Sequence, residues 1–256
     1  MEQIKLKDFM NYRFLSNVQY SPDGSRAALV VTTCNEEDNG YESCLHIYAG
    51  GKMHQLTHLG KEKNYVWEDD EKLLFPSVLS SREKKRAQAG EQFTSYYRLY
   101  IHGGEAQPAF TVPFTATGMK VLEEGLFLIT GLIDADHPDY YKMTKEEREA
   151  YDKALKDNKD YEVFEEAPFW ANGLGITSRK RMALFLFDPA SGRLERISES
   201  ELNVTDTVVL GDTLYFLCHT GPRVCLEKGA TLYKVDYQKP EWQAQKIADI
   251  DLYPRA

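Results

Sequence analysis

Two adjacent carboxylates, Glu165 and Glu166, open the run EEAPFW, and by charge such a pair suits an ammonium group. On a strand, neighbouring side chains point to opposite faces, so a solvated Glu-Glu step fits the same residues. Arg179, Lys180 and Arg181 form a basic turn between strands, which reads as solvent-facing rather than substrate-binding. Covalent chemistry has no visible carrier. There is no G-x-S-x-G, the strand-turn-helix elbow that exposes a serine nucleophile. Gly173-Leu174-Gly175 lacks the third glycine of a dinucleotide fingerprint and sits among strands. His46, His54, His58, His102, His137 and His219 show no H-E-x-x-H or comparable spacing, and each reads as a strand or surface residue. No catalytic residue, metal or cofactor is expected from these residues alone.

The elements that must carry such side chains are strands. The stretch NVQYSPDGSRAALVV stops at Ser-Pro-Asp-Gly and resumes at once. Pro22 presets φ, Asp23 can bond its own backbone, and Gly24 supplies the positive φ of a tight reversal. Ala27 to Val31 then form a short apolar run, too short for a helix and typical of a strand buried on both faces.

The unit recurs, and a period of about 40 to 50 residues is the mark of a propeller. One marker is a turn between apolar segments, near Asp23, Asp70, Glu124 and Asp212; the other is a strand-turn-strand unit starting at Leu45, Leu99, Leu184 and Leu232. The second markers follow one another at steps of 54, 85 and 48 residues, so the third unit carries an excess. Each unit holds material for four short antiparallel strands: an inner apolar one, two around the SPDG-type turn, and an outer polar one. The expected fold is all-β, a partial β-propeller of about four blades in a single domain over residues 1–256. The blades fall roughly at 15–60, 63–114, 116–200 and 202–251.

The excess is a helical insertion around residues 137–168. Thr144 and Glu147 make a capping box, and Ala150, Tyr151, Ala154 and Leu155 line one face of a helix of about three turns. That face is expected to pack on one end of the propeller.

Bulk composition narrows the partners. With 256 residues, a net charge of −9 and a pI near 5.3, the chain is not expected to bind nucleic acid, because phosphate binding relies on clustered cations. No apolar run approaches the ~20 residues of a membrane helix, and the first ten residues have no signal-peptide core, so a cytoplasmic location is expected. Cys34 and Cys44 could face each other across a hairpin, as could Cys218 and Cys225; in a reducing compartment all four read as small buried thiols.

The opening KLKDFMNYRFLSNVQYSPDGSRAALVV resembles the start of the N-terminal propeller of prolyl oligopeptidase-type serine peptidases. The segment Glu165 to Ser198 is similar to a mid-propeller segment of the acylaminoacyl-peptidase and dipeptidyl-peptidase-like branch. The resemblance implies seven or eight blades followed by an α/β-hydrolase domain with a Ser-Asp-His triad. Neither the further blades nor the triad has a counterpart in these residues, which therefore read as a fragment truncated before the catalytic domain. The resemblance also implies that an acidic pair on a propeller insertion binds the substrate's free amine, a role that falls on Glu165 and Glu166.

Two functions follow as expectations. One is the non-catalytic propeller portion of a cytosolic serine peptidase, gating and shaping peptide access to the hydrolase domain. The other is a stand-alone TolB- or WD40-like propeller for protein-protein interaction. Because unpaired strand edges invite pairing, the chain is expected either to close as a compact four-bladed ring or to associate as a homodimer through its open blade edges.

Overall fold

The computed structural model describes residues 5, 7–123, 125–158, 160–161, 163–167, 169–172, 175–220 and 229–251. The chain is built of four-stranded antiparallel sheets, each with the topology of a propeller blade. The first runs β1 (Arg13–Tyr20), β2 (Ala27–Asn35), β3 (Gly40–Ala49) and β4 (Lys52–Gln55), side by side in chain order. The second runs β5 (Val66–Asp69), β6 (Lys72–Pro76), β7 (Thr94–Tyr100) and β8 (Gln107–Val112), with helix α1 (Ser81–Ala89) between β6 and β7. The third contains β9 (Thr115–Glu123), β10 (Leu126–Asp134), β13 (Lys180–Asp188) and β14 (Arg193–Arg196). Between β10 and β13 lie helix α2 (Lys145–Asp157) and a small hairpin of β11 (Trp170–Ala171) and β12 (Gly175–Ile176). The fourth runs β15 (Leu202–Leu210), β16 (Thr213–Thr220), β17 (Gly229–Asp236) and β18 (Gln245–Asp251).

The Ser-Pro-Asp-Gly turn works as its residue types predict but sits one strand earlier. Asp23 accepts from the Ser25 N–H at 2.9 Å and the Ser21 hydroxyl at 2.6 Å, while Gly24 takes φ 72°. These bonds hold the Asp23 carboxyl down at about 2. The turn joins β1 to β2, the first and second strands, rather than the second and third. Among the described residues no apolar inner strand precedes it: β1 is an exposed edge strand, and the buried apolar run Ala27 to Val31 belongs to β2. The Asp70 turn occupies the same place between β5 and β6, and the Asp212 turn between β15 and β16. Glu124 lies outside the described residues, between β9 and β10.

The chain divides into two compact units, residues 1–78 with 95–111, and residues 79–94 with 112–256. In the first, the Tyr65 hydroxyl lies 2.6 Å from the Asn17 carbonyl and 2.5 Å from the Ala28 carbonyl, either of which can accept its single proton, and the Trp67 indole donates to the Gln19 carbonyl at 3.2 Å. Buried aromatics thereby satisfy backbone carbonyls of the neighbouring sheet. In the second unit, Leu126, Leu128, Leu184 and Leu186 of the third sheet pack on Leu214, Phe216 and Val235 of the fourth. Alternation along each strand turns these residues to one face, and their burial drives the packing.

The connector between second and third strands is where the sheets differ, from the short turn at 36–39 to the long excursion at 135–179. Helix α2 starts at the Thr144–Glu147 capping box as its sequence predicts. Its packed face is another matter. Leu155 is 44% exposed, and Ala150 and Ala154 face solvent; Arg148, Tyr151 and Asp152 are the residues turned inward. Spacing alone favoured the apolar side, but polar anchors decide the docking. Helix α1 has an equal signature, Ser80 capping Glu83 and Gly90 closing the C-terminus at φ 89°.

Register separates the cysteines. Cys34 lies opposite Tyr41 and Cys44 opposite Val31, so the two do not face each other. Cys218 is a buried thiol in β16, pushed up to about 12 by burial, and Cys225 lies outside the described residues. Among the described residues, no helix is long and apolar enough to cross a membrane.

Candidate functional site

The 135–179 connector leaves the third sheet, runs through α2, and returns along a strap to β13. Its return is fixed by one carboxylate. Glu166, its side chain 6% exposed, accepts from both terminal nitrogens of Arg181, at 2.6 Å and 2.9 Å. The Arg179 backbone N–H adds a third bond at 3.1 Å and the Arg179 guanidinium a fourth at 3.3 Å. A paired guanidinium fork matches the two carboxylate oxygens, the strongest geometry for such a pair. The Arg181 guanidinium, with Arg179 behind it, holds the Glu166 carboxyl down at about 2.

Arg179 is the second hub. Its Nε donates to Asp136 at 2.9 Å, and its terminal nitrogens donate to Glu201 at 3.1 Å and 3.2 Å. It adopts φ 57°, a left-handed conformation that costs a non-glycine residue about 1 kcal/mol or more. The three acidic partners over-determine it. The basic triplet is therefore not solvated: Arg181 is buried with its side chain 4% exposed, Arg179 joins Asp136, Glu166 and Glu201, and Lys180 donates to Asp134 at 2.8 Å. Composition alone could not distinguish this from a solvated turn, because the acidic partners lie 13 to 46 residues away in sequence.

The two predicted site residues part company here. Glu166 is sealed in the clamp, whereas Glu165 is exposed and its backbone N–H donates to the Ser178 hydroxyl at 3.3 Å. A carboxyl held near 2 stays ionised and is too weak a base for proton transfer near neutral pH. Glu166 is a positioning residue, and what it positions is the strap.

Under α2 lies an aromatic floor of His137, Tyr140 and Tyr141, on which Tyr151 of the helix packs against His137 and Tyr140, with Tyr141 edge-on to Phe185 of β13 at 5.2 Å. The Tyr140 hydroxyl donates to Asp152 at 2.9 Å, and the Gln92 backbone of the α1 connector lies beside the same carboxylate. The insertions of two different sheets thus meet at Asp152. One of its oxygens is buried without a partner, and burial raises its carboxyl above the usual range. With the folded value above the unfolded one, stability contributed by the neutral acid is full at low pH and lost as pH rises through the raised value. Asp152→Asn keeps an acceptor for Tyr140 and removes the charge. It is expected to leave the melting temperature unchanged at pH 4 and to raise stability by ~1 kcal/mol at pH 8, read by thermal denaturation at the two pH values.

Among the described residues, no group of three or more His, Cys, Asp or Glu side chains is placed to hold a metal ion. No family model matches the sequence. The chain is 23% identical over 195 residues to a curated Bacillus subtilis (strain 168) protein named uncharacterized peptidase YuxL, an alignment covering 75% of this chain and 27% of that protein. Its structure is similar to Pyrococcus horikoshii acylaminoacyl peptidase, with TM-score 0.63 and 14% identity over 94% of this chain and 33% of that one. It is equally similar to an acylaminoacyl peptidase solved with Z-Gly-Gly-Phe-chloromethyl ketone, with TM-score 0.64 and 15% identity over 95% of this chain and 34% of the other. At these identities the likeness is one of fold. The chain spans about a third of the solved structures and about a quarter of the curated relative.

Proposed function

We propose that these residues form the non-catalytic propeller portion of a serine peptidase of the acylaminoacyl, dipeptidyl and prolyl oligopeptidase type, shaping peptide access to an α/β-hydrolase domain outside them. Coverage carries this reading: 94–95% of the chain follows the fold of about a third of two acylaminoacyl peptidases. The sequence match to a curated peptidase supports it. A propeller wall gates by presenting fixed surfaces to a peptide, and the clamped strap is such a surface. In this reading Glu165 meets the ammonium of a peptide, while Glu166 holds the strap beside it. The expected place of work is the cytoplasm.

The test is chemical. Incubation with acyl-peptide and dipeptidyl chromogenic substrates and a fluorophosphonate probe is expected to give no turnover and no labelled serine in these 256 residues. Joined to the hydrolase domain of its own peptidase, the propeller is expected to restrict cleavage to short peptides, and its removal to admit casein. A labelled serine within the chain, or unchanged size selection without the propeller, overturns the proposal.

A further inference from the structure

Helix α1 has no buried residue, yet it is fixed at both ends. The Ser80 hydroxyl accepts from the Glu83 N–H at 3.1 Å, the Glu83 carboxylate accepts from the Ser80 N–H at 3.0 Å, and Gly90 closes the far end in the left-handed conformation. On the inward side Arg86 donates to both oxygens of Glu91 at 2.6 Å and 2.7 Å, and its guanidinium lies 4.1 Å from the centre of the Phe93 ring. Nine residues are too few for a helix to hold itself in water, so the caps and the fork hold its shape. What they present to solvent is a face of Ser81, Arg82, Lys84, Lys85 and Gln88, all exposed.

This face is basic within an acidic chain. Residues 79–94 carry Arg82, Lys84, Lys85 and Arg86 against Glu83 and Glu91, in a protein of net charge −9. Both carboxylates are committed, Glu83 to the cap and Glu91 to Arg86. Arg82, Lys84 and Lys85 make no ion pair among the described residues. Arg82 stands three and four residues before Lys85 and Arg86, spacings at which like charges destabilise a helix. The first turn of α2 adds to the field, since its Lys145 and Arg148 also act on Glu91. There Lys145 pairs with Glu149 at 3.4 Å, Glu147 caps Thr144, and the exposed Glu146 opposes the cations. Unpaired cations on a fixed face complement carboxylates. Lipid and nucleic acid fit less well, because the face offers no large apolar side chain to enter a bilayer and the rest of the acidic chain repels a phosphate backbone.

We propose that the outward face of α1 is a docking surface for an acidic peptide segment of a partner protein, whose carboxylates pair with Arg82, Lys84 and Lys85. This goes beyond the peptide-access reading and stands without it. The helix is formed before the partner arrives, so binding costs little ordering.

The experiment uses the 256-residue chain and fluorescein-labelled octapeptides alternating Glu-Ser or Gln-Ser, at about 0.1 M and about 1 M salt. A protein of net charge −9 repels an acidic peptide in bulk, so saturable binding of Glu-Ser reports a local site. Anisotropy is expected to show Glu-Ser bound at least about tenfold tighter than Gln-Ser at the lower salt, with the preference lost at the higher. Lys84→Glu with Lys85→Glu is expected to abolish the preference. Lys153→Glu with Lys156→Glu makes the same charge change on the exposed side of α2 and is expected to leave Glu-Ser binding within about twofold, since screening confines each charge to its surroundings. In the unaltered chain, bound Glu-Ser is expected to slow acetylation of Lys84 and Lys85 but not of Lys153 and Lys156, read by mass spectrometry. Equal binding of the two peptides, a preference that survives Lys84→Glu with Lys85→Glu, or unprotected Lys84 and Lys85 overturns the proposal. Failure to bind Glu-Ser in a chain that sediments with phosphatidylserine vesicles would overturn it in favour of a membrane contact. None of these results bears on the peptidase reading, which a fluorophosphonate-labelled serine would fell by itself.

Discussion

Arg181→Met is expected to destabilise the second unit by about 3–5 kcal/mol, because it leaves the ionised Glu166 buried without its main partner. Glu166 lies beneath the strap, and its remaining bonds come from the Arg179 backbone and a guanidinium already shared with Asp136 and Glu201. Water cannot readily replace the lost fork. The paired variant Arg181→Met with Glu166→Leu removes both charges together and is expected to recover most of the loss, since an apolar pair of similar volume does not leave a charge stranded. Urea denaturation of the four proteins of this cycle measures the coupling. Additive effects would show that the two side chains do not depend on each other.

The same pair gives the protein an acid limb. Glu166 titrates at about 2 in the folded chain, below the ~4.3 of a free glutamate. A depressed folded value means that its stabilisation is present above the unfolded value and is lost as pH falls from ~4.3 toward 2, a contribution on the order of 3 kcal/mol. Glu166→Gln is expected to flatten stability in that window while lowering it at pH 7. Because Asp152 acts in the opposite sense, the protein loses one contribution on the acid side and the other as pH rises.

Much of this architecture is legible in the sequence, and the gaps have physical causes. Turn residues are read from local chemistry, so Ser-Pro-Asp-Gly and the Thr144 capping box announce themselves. Strand order is not local: both β1 and β2 flank the same turn, and only pairing reveals that β1 is the edge. Exposed apolar residues on β1, Leu15 at 60% and Tyr20 at 73%, defeat a reading that equates apolar with buried. Helix α2 docks through Tyr151 and Asp152 because Tyr140 and Gln92, from other segments, await them. The clamp was hidden for the same reason. Glu166 and Arg181 carry meaning only as a pair, and nothing in either residue's neighbourhood names the other.

Gly131 carries the other large effect, and it too is invisible until strands are paired. It lies mid-strand in β10, in register with Ala116 of β9 and Ala183 of β13, so three small residues form a hollow across three strands. Phe114 fills that hollow, 2% exposed and stacked on Phe185 with ring centroids 4.1 Å apart. A Cβ at Gly131 would lie 2.7 Å from two Phe114 ring carbons and 3.1 Å from a Phe185 ring carbon, well inside van der Waals contact. Retreat of the Phe185 ring is limited by Tyr141 of the insertion, which abuts it edge-on at 5.2 Å. Gly131→Ala is therefore expected to cost about 1–3 kcal/mol by overpacking, despite alanine's better strand propensity. Phe114→Leu alone is expected to cost roughly 1–2 kcal/mol for lost ring contacts, but to absorb the extra methyl when the two are combined. The double variant should thus be less destabilised than the two singles together, a non-additivity measured by urea denaturation. Strict additivity, or a Gly131→Ala variant as stable as the parent, would mean that the rings have room to move and that the hollow does not set the position of the aromatic floor.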